Sequence, residues 1–446
     1  MEKIVIPYHN KFVEAKVPKK NLIAILKSEL NEYHNDLSEQ EIVEKALDKP
    51  IGSKKLEEMV VGKQNMVIIT SDHTRPVPSK ITMPILLNRI RKANPNINIK
   101  ILIATGFHRA TSKQELFDRF GDKIARNEEI IVHDCKDPNT LVYLGKLPSG
   151  GDLIINKIAL ETELLIAEGF IEPHFFAGFS GGRKSVLPGI ASEKTIMANH
   201  CSEFIASEYA RPGVIKNNPM HEDMIYAAKK AKLSFILNVV INSNKKIINA
   251  FAGDSEKAHE QGCNFVSELS EVDPVKADIV ISSNGGYPLD QNIYQSVKGM
   301  TSAEATCKEG GIIIMVSACS DGHGGQSFYD SLANAQSPQE LLDRIVKVPR
   351  NETQPEQWQL QILCRILNKH TVILVTDMCD PQMIKNMYLE HAYTLQEAIQ
   401  KAFKIKGENA KITVIPDGIS VIVKQNKRST KDLMLNPRCK ALSMES

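Results

Sequence analysis

The sequence predicts an α/β fold of two domains, each with a largely parallel sheet, and a cleft between them. Three observations lead there. At 446 residues the chain exceeds the usual reach of one hydrophobic core, so two domains are expected. Short β-branched runs alternate with amphipathic segments, the punctuation of βαβ units. Clusters of His, Arg, Asp and Thr come directly after the predicted strands, where open α/β sheets collect ligands.

The elements follow in order. KIVIPY and KFVEAKV flank His9-Asn10 and predict a hairpin, and Ser38 with Glu41 three residues on is the capping-box start of a helix. NMVIIT (65–70) predicts a strand, SKITMPILLNRIRKA (79–93) a helix, INIKILIATG (97–106) a strand and SKQELFDRFG (112–121) a helix. EEIIVHD (128–134) and LLIAEGF (164–170) add strands, and FILNVVINSNKKIINAF (235–251) reads as a hairpin. A second alternation comprises ADIVISSNGG (277–286), GGIIIMVSA (310–318), TVILVTD (371–377) and ITVIPD (412–417). The expected domains are therefore 1–270 and 275–415, followed by a basic, polar, solvated tail at 424–446.

Composition narrows the function classes. Hydrophobic residues make up 42% and charged residues 24%, as in ordinary globular proteins. Lys plus Arg total 55 against 53 Asp plus Glu, which removes the general electrostatic case for nucleic acid or an anionic membrane as partner. The apolar run in MEKIVIPYHNK is too short for a signal-peptide core, and no stretch approaches the roughly 18 apolar residues of a membrane span. A cytoplasmic protein is expected. Its eight cysteines form no C-x-x-C pair, which argues for reduced thiols rather than a disulfide framework or a zinc site.

The densest chemistry lies in EPHFFAGFSGGRKSVLPGIASEKTIMANH (172–200). Successive glycine amides in GFSGGRKS suit an anion, but a Walker loop wants glycine immediately before the lysine and this chain has Arg183 there. A phosphate loop and a plain tight turn both stay open on this segment. Most histidines of the chain read as structural or surface residues. His108 and His174 instead follow strand ends, and His200 closes a helix-like segment from which an imidazole can reach a metal. Arg75 and Arg109 also follow strand ends, where guanidinium forks suit a carboxylate or phosphate. Lys298 offers a second cation if the domains face each other. Trp358, the single tryptophan, sits in a predicted amphipathic helix, and core and ligand-contact roles are equally open to it.

Taken together, Ser71-Asp72-His73-Thr74-Arg75-Pro76, Gly106-Phe107-His108-Arg109, His174 to His200 with GFSGGRKSVLPGI between them, and YPLDQNIYQSVK (287–298) resemble the nickel-dependent lactate racemases. The resemblance runs from the first hairpin to about residue 423 without a departure at a motif position. It implies a nickel-pincer nucleotide, a nicotinic-acid-derived mononucleotide whose pyridinium ring holds nickel through two sulfur-bearing arms, and cofactor-assembly enzymes as partners. By the same resemblance Lys184 carries the covalent thioamide link and His200 is the protein ligand on nickel. Asp72, His73, Thr74 and Arg75 match the cofactor-contacting loop, and His108 and His174 the acid/base pair. Gln295 and Lys298, with Arg75 and Tyr294, match the substrate contacts. Glycines 178, 181, 182 and 189 would then allow close approach of the mononucleotide.

Soft sulfur and carbon donors with one imidazole favour square-planar nickel, so no cysteine cluster is required. A positioned base contributes only about 10²- to 10⁴-fold, roughly 3 to 5 kcal/mol, too little to form a carbanion beside a carboxylate. The resemblance therefore implies hydride transfer: one histidine takes the hydroxyl proton, the Cα hydride passes to the cofactor, and return to the other face of a flat 2-keto acid inverts the centre. The active site is expected in the cleft between the domains. Lactate is the expected substrate; malate or a longer or aromatic 2-hydroxy acid is the rival, with Phe176, Tyr294 and Trp358 as candidate size-setting residues. A nucleotide-dependent phosphotransferase using GFSGGRKS and a non-catalytic carrier of the nickel nucleotide remain as readings from other classes.

Overall fold

The computed structural model describes residues 1–424. Apart from Lys424, the tail expected at 424–446 lies outside the described residues. Lys424 itself is held, its N–H donating to the carbonyl of Val272 at 2.9 Å.

Two six-stranded sheets organise the chain. The first runs Ile247–Gly253, Leu233–Ile241, Leu165–Phe170, Asn65–Ser71, Asn98–Ala104, Glu129–Val132. It is parallel except for its antiparallel edge pair, the predicted hairpin. Its strands are continuous apolar runs because both faces are covered. Side chains alternate across the pleat, so Met66, Ile68 and Ile166 enter one core while Val67, Ile69 and Leu165 enter another. The second sheet, Glu390–Ala392, Thr371–Val375, Cys307–Val316, Ala277–Ser283, Ile412–Ile415, Leu22–Ile25, is parallel throughout. Val280, Ile313 and Met315 from its inner face join the same core as Val67 and Ile69, so one apolar cluster is continuous across both sheets.

Locally determined elements stand where the sequence places them. The helix Glu39–Asp48 opens with the Ser38/Glu41 capping box, and Lys113–Phe120 opens with a second, Ser112/Glu115. The N-terminus differs. Residues 1–25 were counted with the first domain, yet the hairpin Glu2–Tyr8/Lys11–Val17 packs Ile4, Ile6 and Val17 against Ile279 and Ile312, and Leu22–Ile25 pairs with Ile412–Ile415. An alternating pattern states that a strand exists, not which sheet will take it.

Both sheets contain a switch point. From Asn65–Ser71 the chain builds outward to Glu129–Val132, then returns on the other side with Leu165–Phe170, so the loops after these two central strands diverge and leave a crevice. Ala277–Ser283 and Ile412–Ile415 do the same in the second sheet. Among the described residues, no helix is long and apolar enough to cross a membrane.

Candidate active site

A cavity of about 570 Å³ opens where the loops leaving the two sheets meet. Asp72, His73, Thr74 and Arg75 enter it from the end of Asn65–Ser71, His108 from the end of Asn98–Ala104, and His174 from the end of Leu165–Phe170. Lys184 and His200 complete the first wall, and Tyr294, Gln295 and Lys298 come from the helix Ile293–Thr306 of the second half. The polar and charged side chains singled out from the sequence for this site all line this cavity, as do Gly181 and Gly189, whereas Gly178 and Gly182 do not.

The 72–75 loop is held from inside. Asp72 is 1% exposed; its Oδ1 accepts from the N–H of Thr74 at 3.1 Å and from the Thr74 hydroxyl at 2.6 Å, and its Oδ2 lies 2.6 Å from His108 Nδ1. Burial raises this carboxyl, but the hydrogen bond and charge of His108 together with Arg75 outweigh it and bring it down to about 2. Arg75 donates to the Thr74 hydroxyl at 2.9 Å. Arg119, from the helix Lys113–Phe120, donates to the backbone carbonyls of Asp72 and Arg75. Nothing in SKQELFDRFG distinguishes that half-buried arginine from a solvated one. His73 turns to Thr111 Oγ1 at 3.2 Å, and burial lowers its pKa. Arg109, which the sequence offered as an anion fork, is already bidentate on Glu115 at 2.6 and 2.9 Å. Arg75 is thus the guanidinium of the two that remains for an anion in the cavity.

The segment 173–185 is a tight hairpin followed by a single 3₁₀ turn, Gly182–Ser185, and the α-helix begins only at Glu193. A phosphate loop leading straight into a helix is therefore not formed. Gly181 and Gly182 have φ of 76° and 53°, and a Cβ on either would sit 2.6 Å from Asn238 Oδ1 or the His259 ring. Gly178 and Gly189 are closed in the same way by the carbonyls of Val214 and Ser185. The protein's own packing is thus by itself a sufficient reason for glycine at these positions, of which Gly181 and Gly189 also face the cavity. Arg183 is the reason the turn is rigid: 1% exposed, it donates to the carbonyls of Ala177 and Phe179 at 2.8 and 2.9 Å and to His221 Nδ1 at 3.0 Å.

This frame sets the state of three groups. Lys184 is enclosed, and burial first, then the charges of Arg183, Arg75 and Lys298, push its amine well below the usual lysine range. His200 follows the helix Glu193–Asn199; its Nδ1 is 2.9 Å from the Ile196 carbonyl, which fixes the hydrogen there and leaves Nε2 as the lone pair. Burial and Lys184 bring it down to about 3, and the rings of Phe176 and Trp358 stand edge-on to it at 5.4 and 5.0 Å. His174 Nδ1 accepts the Ala177 N–H at 3.2 Å, and burial with Lys184, Lys298 and Arg75 lowers its pKa well below the ordinary value.

Across the cleft, Asn292 caps the helix that carries the opposing side chains, accepting from the Gln295 N–H at 2.9 Å. Lys298 is brought down to about 8 by burial and Arg75. Burial raises the Tyr294 phenol, whose oxygen accepts from Trp358 Nε1 at 3.1 Å. Gln295 Oε1 is buried without a partner, and so is Oε1 of Gln359, a fully buried residue that donates to the Tyr294 carbonyl. Gln359 was not visible as a site residue, since its helix reads as amphipathic and glutamine has no signature spacing. Two unsatisfied acceptors beside the cations Arg75 and Lys298 suit a small anion that also brings a hydroxyl. Among the described residues, no group of three or more His, Cys, Asp or Glu side chains is placed to hold a metal, so a metal here needs donors from outside the chain.

Family models of the lactate racemase N-terminal domain and C-terminal domain match residues 8–213 and 272–423. The lactate racemase of Thermoanaerobacterium thermosaccharolyticum is 57% identical over 425 residues, covering 95% of this chain and 100% of the relative. That of Lactiplantibacillus plantarum is 58% identical over 424 residues, with coverage of 95% and 100%. The solved lactate racemase apoprotein from T. thermosaccharolyticum superposes with a TM-score of 0.92 at 56% identity, over 95% of this chain and 100% of that one. A Thermotoga maritima protein at 19% identity and a TM-score of 0.64, over 88% of this chain and all of its own, shares the fold.

Proposed function

The chain belongs to the lactate racemase family and is an isomerase, and we propose that it interconverts D- and L-lactate with a nickel-pincer nucleotide tethered to Lys184. The observation that carries the cofactor assignment is the meeting in one cavity of an enclosed lysine, whose amine burial and neighbouring cations push towards its neutral form, and an imidazole whose free lone pair is fixed on Nε2. The first is the nucleophile that a thioamide link needs. The second supplies one nitrogen, matching a donor set whose sulfurs come with the cofactor.

When bound, the nickel-pincer nucleotide supplies the acceptor and donor of the Cα hydride. The chain's own residues do the rest. Arg75 and Lys298 hold the substrate carboxylate, with Gln295 and Tyr294 beside them. His108 and His174 stand on the first wall as the pair that takes and returns the hydroxyl proton, and in the resting site they are complementary. With Nδ1 on Asp72, His108 offers a bare Nε2; with Nδ1 accepting from Ala177, neutral His174 carries its hydrogen on Nε2. Phe176, Tyr294 and Trp358 line the cavity as the candidate size-setting residues, and lactate is the substrate the relatives' names support. The described cysteines are free thiols, as a cytoplasmic setting requires, and cofactor-assembly enzymes are the expected suppliers.

The test is intact-mass analysis and peptide mapping of protein made alongside cofactor-assembly enzymes, with optical rotation followed from one pure lactate enantiomer. An adduct on Lys184 and loss of rotation are expected. Rotation lost without an adduct would overturn the tether, and rotation kept with lactate but lost with malate would remove lactate.

A further inference from the structure

We propose that Asp72 is a positioning residue for His108: its buried carboxylate fixes the imidazole hydrogen on Nδ1 and so turns a bare Nε2 to the cavity, instead of contacting cofactor or substrate. The proposal rests on the racemase reading for its kinetic consequence but not for its structural one.

Asp72 stands at the end of a central strand with every oxygen engaged. Oδ1 takes two donations from Thr74, and Oδ2 faces His108 Nδ1 at 2.6 Å. At 1% exposure, the carboxylate presents almost none of its surface to the cavity it borders. A carboxylate can only accept, so the hydrogen of the Asp72–His108 bond has to come from the ring. The Thr74 hydroxyl lies 3.3 Å from the same nitrogen, but its hydrogen is already committed to Asp72, so it too can only accept there. Arg119 holds the Asp72 carbonyl from behind, so the carboxylate is fixed before any ligand arrives. No comparable anion serves His174, whose Nδ1 receives a backbone N–H. The two histidines of the site are thus given opposite tautomers by their neighbours.

Asp72→Asn separates positioning from scaffolding. The amide oxygen can keep the Thr74 contacts, while the NH₂ facing His108 Nδ1 forces the ring hydrogen to Nε2. The expected result is an unchanged melting temperature and an unchanged Lys184 adduct, with kcat down by about 10²- to 10⁴-fold and KM moved less than about threefold. In a His108→Gln background the same substitution should add no further loss. Nitrogen-15 NMR of the cofactor-free protein reads the tautomer directly: Nδ1–H on His108 in the wild type, Nε2–H in Asp72→Asn. A wild-type His108 carrying its hydrogen on Nε2 overturns the proposal even if the variant fails to fold. So does an unchanged tautomer or an unchanged kcat in a folded, loaded variant. The correct tautomers in a protein that never turns over lactate would leave the positioning intact and refute the racemase reading alone.

Discussion

Trp358 Nε1 donates to the hydroxyl of Tyr294 at 3.1 Å, and the same indole stands edge-on to His200 at a centroid distance of 5.0 Å. One side chain thus ties the second half's aromatic wall to the imidazole proposed as the metal ligand. Replacing it by alanine should enlarge the space beside the substrate. We expect kcat/KM for phenyllactate relative to lactate to rise at least about tenfold in Trp358→Ala, the scale at which pocket size discriminates. Polarimetry with both acids checks this, and an unchanged ratio assigns size selection to another wall.

Arg183→Met keeps the length of the side chain but removes the Arg183 donors from the carbonyls of Phe179 and Ala177, the latter keeping only the N–H of Phe179. A buried acceptor left without its donor costs about 1 to 3 kcal/mol. A loss of about 1 to 3 kcal/mol is expected in urea unfolding, together with failure of Lys184 to take its adduct. A variant as stable as the wild type would show that the turn is rigid for another reason.

Because burial and neighbouring cations favour the neutral amine, Lys184 should react before surface lysines in the cofactor-free protein at pH 7.5. Lys298, brought down to about 8, should come next. Limiting acetic anhydride followed by peptide mapping reads the order. Surface lysines labelled ahead of both would contradict the charge states derived for the cavity.

Acid should destabilise the cofactor-free protein earlier than its carboxylates alone would. Burial lowers the pKa of His133, His174, His200, His221 and His259, with His200 and His221 at about 3. Below about 6.5 the unfolded chain binds protons that these folded sites refuse, so stability is flat above that pH and falls as pH drops towards the folded values. Each imidazole contributes at most about 1.4 kcal/mol per pH unit. Glu172, Asp223 and Asp417, raised by burial, act in the opposite sense but are fewer. Calorimetry should find a lower melting temperature at pH 5 than at pH 7.5; an equal or higher one would contradict this balance.

What could be read beforehand was what depends on near neighbours in the chain. The helix Ser79–Ala93 coincides with its apolar pattern to the residue, and Lys113–Phe120 starts at its capping box. His174, Lys184 and His200 share one contiguous stretch, so their meeting was legible as well. Arg119 and Gln359 were not, because each acts through a carbonyl supplied by a distant part of the chain. The glycines of 178–189 were legible as a turn but not as a turn packed on Asn238 and His259, which arrive from other elements. That Leu22–Ile25 joins the second sheet was not legible for the same reason.

The pairing of Leu22–Ile25 with Ile412–Ile415 also has a temporal meaning. The ribosome releases the N-terminal segment first, yet its partner strand emerges roughly 20 to 80 seconds later at about 5 to 20 residues per second. Until Ile279 and Ile312 emerge, Ile4, Ile6 and Val17 have no surface to cover, so the nascent polypeptide carries them exposed while the first sheet condenses. Closure of the second half is thus a late, long-range event, and a transcript cut short before residue 412 should yield a product that chaperones retain.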